Sequence, residues 1–397
     1  MKIAYVTTYD ALNVKNWSGI GHYMANALKN ESISLDYIGP LTEKNSRVVN
    51  AKKYLYRHVV KKRYLQDREP IILRDYARQV TAKLAGIKSD VVFSPGSIPI
   101  AYLDCHQPIV FWTDATFAGK VDYYPSFTKL CPESIRNGNK MEQSALDRAH
   151  LAIYSSDWAA QTAIANYQID KSKIHVVPFG ANIEGNRDVE DIKRIVNARP
   201  TDRCKLLFLG VDWNRKGGGI AVEVARELNR SGLRTELSIV GCRPTTDEPL
   251  PDFVQLTEFI SKSTSDGLSG LAKLLADSHF LILPSQADCC PIVLSEACSS
   301  GVPCLSTNVG GIPTVIKDGL NGKTFAKDAP IDDYCAAVAH LFFHYQEYRD
   351  MALSAFNEYR SRLNWSVAAK TVRGLLSELA PHQRPTTGDT YLCAAQA

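Results

Sequence analysis

Short apolar, β-rich runs separated by helical stretches recur along this chain, and the rhythm begins twice. In the first half the runs fall at 3–7, 34–38, 91–94, 109–113, 151–155 and 174–178, with helical patterns such as 21–29 and 141–148 between them. Strands spaced by helices imply βαβ units and a parallel sheet. A charged, poorly patterned stretch covers 184–203. Further runs then follow at 205–209, 236–240, 254–256, 280–283, 303–306 and 322–325, spaced by helical segments such as 220–231 and 269–278. The expectation is an α/β chain of two doubly wound, Rossmann-like halves, 1–184 and 185–364, with a linker near residue 185. Ligands of such sheets bind beyond the carboxyl ends of the strands, so two facing halves make a cleft. Residues 381–397, rich in Pro, Thr and Gly and without periodicity, read as a loosely ordered tail.

Composition narrows the class. A chain of 397 residues can bury two cores, and 45% apolar with 22% charged residues is ordinary for a soluble globular protein. A net charge of +4 is too mild to argue for nucleic acid. No apolar run is long enough to span a bilayer, and 1–6 is too brief for a signal peptide. The ten cysteines form no Cys-x-x-Cys pair and read as small core residues in a reducing compartment, so the expected location is the cytoplasm. One segment stands apart. From Lys52 to Arg68, the cations Lys52, Lys53, Arg57, Lys61, Lys62, Arg63 and Arg68 interleave with Tyr54, Leu55, Tyr56, Val59, Val60, Tyr64 and Leu65. Either it contacts an anionic membrane surface peripherally, or it is a solvated helix with its apolar side on the core.

The densest chemical signal lies between Leu281 and Thr324. The run Leu281-Ile282-Leu283 ends in Pro284-Ser285, then Asp288-Cys289-Cys290-Pro291, then a helical run through Glu296 and Ala297. Pro291 suits a first helical turn, where no backbone N–H is needed. The N–H groups from Cys289 and Cys290 to Ile292 are then expected to point toward phosphate or sugar oxygens. If the whole stretch were helical, Asp288 and Glu296 would lie about 12 Å apart along the axis, the scale of a sugar nucleotide. One carboxylate then sits at the hexose, and Glu296, with two accepting oxygens, grips a ribose diol. Taken alone, the pair also reads as a helix cap and a solvated side chain.

Two glycine-bearing loops add to it. The run ending Phe208-Leu209 stops at Gly210 and leads through Val211-Asp212-Trp213-Asn214 to Arg215-Lys216-Gly217-Gly218-Gly219 and a helix. Glycines allow close backbone approach, and Arg215 with Lys216 can offset a diphosphate; the alternative is a surface turn, since the Gly-Lys-Ser/Thr ending of a P-loop is missing. In the first half, Ser18-Gly19-Ile20-Gly21 fails as a dinucleotide fingerprint, because Met24 takes the third glycine position and no acidic residue follows Tyr37-Ile38. It reads as a flexible loop across the cleft or as a plain turn.

Taken together, Pro284-Ser285, Asp288-x7-Glu296-Ala297, Gly301-Val302-Pro303, Asn308 to Pro313 and Gly319-Leu320-Asn321-Gly322 resemble the donor site of family 4 glycosyltransferases, whose usual pattern is Glu-x7-Glu. Gly210 with Arg215-Lys216-Gly217 resembles their phosphate loop, Val176 to Asn182 their interdomain motif, Ser18 to Gly21 their N-terminal glycine loop, and Leu363-Asn364-Trp365-Ser366 the start of their last helix. The resemblance implies a GT-B architecture in which a helix at about 365–380 crosses back onto the first domain. It also implies a donor site made of Gly19, Gly21, Gly210, Arg215, Lys216, Phe259, Ile260, Asp288, Cys289, Cys290, Pro291, Ile292 and Glu296. Three positions depart from the family. Asp288 is a methylene shorter than Glu, Val211 stands where many members carry arginine, and Thr113-Asp114 stands where many carry a histidine. Asp114 either inherits an acceptor-side role or caps a loop.

What the resemblance implies functionally is a retaining transfer of a hexose, glucose from UDP-glucose first, to a saccharide or lipid-linked acceptor in cell-surface or exopolysaccharide assembly. Asp288, Arg215, Lys216 and Asp114 are the expected catalytic residues. The leaving diphosphate gains negative charge, which Arg215, Lys216 and the helix start are placed to stabilise. No His/Asp cluster with metal-ligand spacing stands out, so neither a metal nor another cofactor is expected. A sugar-nucleotide epimerase of the same fold and a non-catalytic nucleotide-sugar-binding scaffold are the rival readings.

Overall fold

The computed structural model describes residues 1–43, 46–183, 187–245 and 248–379; the linker expected at residue 185 and the tail expected at 381–397 lie outside these. Two six-stranded sheets form, all of whose pairings are parallel. The first holds β1 (Lys2–Val6), β2 (Ser34–Ile38), β3 (Val91–Ser94), β4 (Ile109–Thr113), β5 (Ala149–Tyr154) and β6 (Ile174–Val176) in the order β2-β1-β3-β4-β5-β6. The second holds β7 (Cys204–Leu209), β8 (Thr235–Val240), β9 (Val254–Thr257), β10 (Phe280–Leu283), β11 (Cys304–Thr307) and β12 (Gly322–Phe325) in the order β12-β11-β10-β7-β8-β9. Each expected strand is present, shifted by two residues at most. Helices cover both faces of a parallel sheet, so its central strands are apolar without alternation. Accordingly β3, β4, β10 and β11 are buried at every position.

Strand order locates the crevices. In the first sheet the chain leaves β1 toward β2 and returns on the other side at β3. In the second it leaves β7 toward β8 and β9 and returns at β10. Loops diverge at such a reversal, and the gap beyond the strands' carboxyl ends is where ligands of these sheets bind. The loop after β7 carries Arg215 and Lys216, and the loop after β10 carries Asp288.

Three features differ from the sequence reading. The helix expected at 141–148 begins far earlier, at Pro132, and runs to Arg148. Its first half buries Ser134, Asn137 and Gly138 in place of large apolar residues, and the ring of Phe117 fills the room that Gly138 leaves. That face carries almost no hydrophobic periodicity to read. The basic segment is not one helix packed on the core. It is a helix, Arg47–Leu55, then a single π turn, Tyr56–Val60, then extended chain whose Arg63 bridges Leu130. Tyr54, Leu55, Val59 and Val60 are exposed beside Lys53, Arg57, Lys61, Lys62 and Arg63. Lys52 and Arg68 turn inward instead, to Glu69 and Glu133 and to Asp67. Finally, Ile20 and Gly21 already belong to the helix Ile20–Asn30, so only Ser18, at φ +55°, and Gly19, at φ +84°, remain of the expected glycine loop.

The two sheets are joined by a shared core. The helix Trp365–Leu379 buries Trp365, Ala368, Ala369, Val372 and Leu376 with Ile20, Met24 and Leu28 of the first domain. Trp112, Phe179 and Trp365 form an aromatic triangle with centroids 5.3–5.7 Å apart. Their polar edges are satisfied. The Trp112 indole N–H donates to the Val177 carbonyl (2.9 Å), Trp365 donates to Asn182 Oδ1 (2.8 Å), and Asn182 Nδ2 donates to the Ser18 carbonyl (2.8 Å). Gly180 is the close approach here, since a methyl group on it would collide with the backbone of Trp365.

Candidate active site

Beyond β7 the chain makes one short helix, Trp213–Lys216, started by Asp212, whose Oδ1 accepts from the Arg215 N–H at 3.0 Å. It ends at Gly217 in the left-handed region, φ +78°, where a side chain would strike the Pro284 carbonyl. Gly217 thus lets the β7 and β10 loops close on each other, and Gly218 lies under the Trp213 ring. Gly210 sits against the Lys216 side chain. Gly210, Gly217 and Gly218 serve protein packing, a use the sequence reading did not foresee, while a side chain on Gly219 would meet open space. Their effect is to hold Arg215 and Lys216 over the end of β10.

There the Lys216 ammonium is ion-paired with the Asp288 carboxylate, and the Arg215 guanidinium lies 3.5 Å from the same oxygen. Arg215 also donates to the Ala287 carbonyl (2.9 Å). Lys216 is 8% and Asp288 5% exposed. Asp288 lies in the loop, because the helix after β10 runs only from Ile292 to Cys298, with Pro291 just before it. The 12 Å spacing expected for a continuous helix therefore does not apply, and Pro291 caps the helix instead of occupying its first turn. Glu296 lies inside that helix, fully buried. Its Oε1 pairs with Lys262, from the segment after β9, and its Oε2 has no partner among the described residues. A buried acceptor left unpaired costs about 1–3 kcal/mol, so this oxygen favours any ligand that donates to it.

The loop's amides face the first domain. Beyond β4 and Asp114, Thr116 caps the short helix Phe117–Lys120, and Asp122, at φ +55°, turns the chain so that Tyr123 and Tyr124 point across the cleft. The Tyr123 hydroxyl accepts from the Asp288 N–H (2.9 Å) and donates to the Asp288 carbonyl (3.2 Å). The Tyr124 hydroxyl accepts from the Cys289 N–H (2.8 Å), with the Arg215 guanidinium 5.3 Å over its ring. Burial pushes both phenols above their usual value. The side chains of Cys290 and Ile292 lie against the interdomain core, which leaves their backbone N–H groups as the atoms expected to meet a donor. Burial pushes the Cys290 thiol up to about 12.

Asp114 stands half-buried after β4. Burial raises its carboxyl above the usual range and the charge of Asp288 adds to this, while the Lys120 ammonium and the Trp17 indole pull the other way. Asp114 and Asp288 thus feel each other across the cleft. Phe259 is 68% exposed and Ile260 packs on the second core, while their neighbour Lys262 makes the site contact that sequence reading missed. Tyr123, Tyr124 and Lys262 carry no local motif, and only a three-dimensional register could have found them. A further omission is a surface cluster, His340, His344 and Glu347, whose ligand atoms lie within 4.8 Å of one another. The spacing His-x3-His-x2-Glu was the available signal. Among the described residues, no helix is long and apolar enough to cross a membrane.

Comparison with known proteins places this geometry. Residues 203–343 match the family model described as glycosyl transferases group 1. The D-inositol 3-phosphate glycosyltransferase of Mycolicibacterium smegmatis is 24% identical over 261 residues, covering 62% of this chain and 57% of that protein. The D-inositol 3-phosphate glycosyltransferase 2 of Catenulispora acidiphila is 25% identical over 249 residues, 59% of this chain and 58% of the relative. The chain thus spans somewhat more than half the length of the curated relatives it matches. Among solved structures, sucrose-phosphate synthase from Thermosynechococcus elongatus superposes with a TM-score of 0.68 at 14% identity, covering 96% of this chain and 99% of that one. Anabaena Alr3699/HepE, solved in complex with UDP-glucose, does so at 0.61 and 12% identity, covering 95% and 100%. These likenesses establish the fold as the GT-B arrangement of two Rossmann-like domains.

Proposed function

From a second domain that matches the group 1 glycosyl transferase model over residues 203–343, set in a GT-B fold, we propose that this chain transfers a hexose from a nucleoside diphosphate donor to an acceptor with retention at the anomeric carbon. The observation that carries the reading is Glu296, a fully buried carboxylate with one oxygen unpartnered among the described residues, beside the crevice between β7 and β10. A ribose hydroxyl is a donor of the right kind for that oxygen. Arg215 and Lys216 lie at the same crevice, where they stabilise a departing diphosphate, and Asp288 orients the hexose hydroxyls. The departing phosphate takes the acceptor proton, and Asp114 faces the acceptor. The transfer needs no metal. UDP-glucose is the first donor to try, by likeness to the Anabaena protein solved with it.

The acceptor is a saccharide or a lipid-linked saccharide, and the exposed cations and aliphatics between Lys53 and Arg63 hold the enzyme on an anionic membrane surface at the cytoplasmic side. The transfer is tested by mass analysis of the nucleotide released from a panel of UDP-, GDP- and ADP-sugars, with and without acceptor. Acceptor-dependent multiple turnover supports it. Release of an altered sugar without acceptor would make the protein an epimerase, and tight binding without turnover a scaffold.

A further inference from the structure

The amides that a donor's oxygens would need are already taken, and by hydroxyl groups. Tyr123 and Tyr124 come from the first domain, 165 residues before Asp288 and Cys289, yet their phenols sit at 2.9 and 2.8 Å from the N–H groups of those two residues. The fit is specific. The Tyr123 hydroxyl both accepts from and donates to Asp288, and it rests over Gly310, where a side chain would collide with it. Trp158 flanks the Tyr123 ring at 4.9 Å, and Arg215, one of the two cations beside Asp288, covers Tyr124. Asp122 holds the left-handed backbone that presents both rings together. That conformation is uncommon for a residue other than glycine and is kept only where the surroundings over-determine it.

We propose that Tyr123 and Tyr124 form a gate in which two phenolic hydroxyls stand in for oxygens of the donor, so that donor entry requires them to leave the Asp288 and Cys289 amides. The proposal rests on the reading of the crevice as a nucleotide-sugar site. Its consequence is a coupling between the domains: while the hydroxyls are in place the cleft is held shut against the donor, and a donor that displaces them frees the first domain to move. A ligand binds a protein whose competent state is partly populated more weakly, in proportion to that population.

Two measurements on the full chain test this. Amide exchange of the segment 284–292, in the ligand-free protein, is expected to quicken in Tyr123→Phe/Tyr124→Phe, because the rings remain and only the hydroxyls, which accept from both amides, are lost. Calorimetric titration with UDP-glucose is expected to show affinity rising about two- to ten-fold in that variant, the equivalent of one net hydrogen bond released from competition. Unchanged exchange means that the hydroxyls do not hold these amides and overturns the gate. Quickened exchange with equal or weaker UDP-glucose binding also overturns it, since the hydroxyls then help the donor. If neither protein binds any nucleotide sugar, the donor-site reading itself fails, and the exchange result still decides whether the contact exists.

A separate observation carries a second site. Where the helices Ile331–Phe343 and Tyr345–Arg362 meet, His340 Nε2 lies 2.9 Å from Glu347 Oε2, and His344 Nδ1 lies 2.8 Å from the His340 carbonyl. A carbonyl only accepts, so His344 carries its proton on Nδ1 and offers the Nε2 lone pair, the tautomer that a metal-binding imidazole needs, while His340, whose Nε2 donates to the Glu347 carboxylate, releases that proton when a cation takes its place between them. We infer that His340, His344 and Glu347 bind one divalent zinc-class cation, with a fourth position open to water. Titration with zinc chloride is expected to give one site that His344→Ala and Glu347→Gln each weaken by at least about ten-fold. Equal affinity in the variants, or no binding to the parent protein, overturns it.

Discussion

Lys216 and Asp288 form an ion pair between the loops that follow β7 and β10, with both side chains almost fully withdrawn from water. Removing one partner of a buried pair leaves the other charge uncompensated, at a cost of about 3–5 kcal/mol, softened here by Arg215 at 3.5 Å. Lys216→Ala is therefore expected to lower thermal stability. It is also expected to weaken UDP binding by about 1.5–3 kcal/mol, the scale of a charged hydrogen bond. Calorimetry reads the second effect, and an unchanged affinity removes Lys216 from the diphosphate subsite.

The two carboxylates should separate in their effects. Glu296→Ala is expected to weaken binding of UDP itself, because it deletes the oxygen assigned to the ribose. Asp288→Ala is expected to spare UDP and lower turnover. Lys262→Met is the control, since it removes the partner of Glu296 without touching the carboxylate. Equal loss of UDP affinity in the Glu296 and Asp288 variants contradicts the assignment.

His279 makes stability depend on pH. Burial, with Arg199 and Lys205 adding to it, lowers its pKa from 6.5 to about 3. In the folded protein the Lys205 N–H donates to Nδ1 (3.0 Å), so the ring is held neutral there. The unfolded chain therefore takes up a proton below pH 6.5 that the native ring refuses. This contribution to stability is full above pH 6.5 and falls steadily as pH drops toward about 3. Denaturant melts of the parent and of His279→Gln across that range should show a flatter acid limb in the variant.

Gly180→Ala should loosen the crossing helix. The added methyl group meets the backbone of Trp365, at the point where the chain enters the helix Trp365–Leu379. Overpacking a filled site costs about 1–3 kcal/mol. Faster proteolysis near residue 365 and a lower melting temperature are the expected results.

The proposed membrane attachment is expected to weaken with salt and with charge reversal. Each cation near an anionic surface contributes about 1 kcal/mol, and screening shortens the interaction to about 3 Å at 1 M salt. Sedimentation with anionic vesicles is expected to retain the protein at low salt and to lose it in Lys61→Glu/Lys62→Glu. Retention that survives both changes, or none at low salt, makes a soluble acceptor the better reading.

The sheets were legible because a strand buried on both faces must be a continuous apolar run, as Phe280-Leu281-Ile282-Leu283 and Val91-Val92-Phe93 are. The second-domain half of the site was legible for a related reason. Arg215, Lys216 and Asp288 lie in the segments directly after strands and Glu296 in the short helix that follows β10, where sequence neighbours remain spatial neighbours. The helix from Pro132 hid its first half, because it packs through Gly138 and small polar residues that leave no apolar period.

The contacts made to those residues were decided elsewhere. Lys262 reaches Glu296 from 34 positions away, and Tyr123 and Tyr124 reach Asp288 and Cys289 from 165 away, across the cleft. Hydrophobic periodicity fixes which face of an element is buried within its own sheet. How one sheet sits against the other depends on the joint packing of Trp112, Phe179 and Trp365 and on the loops brought together around it, which no local pattern encodes. Sequence alone therefore determined the fold and which residues form one wall of the candidate site, and the tertiary structure decided what that wall faces.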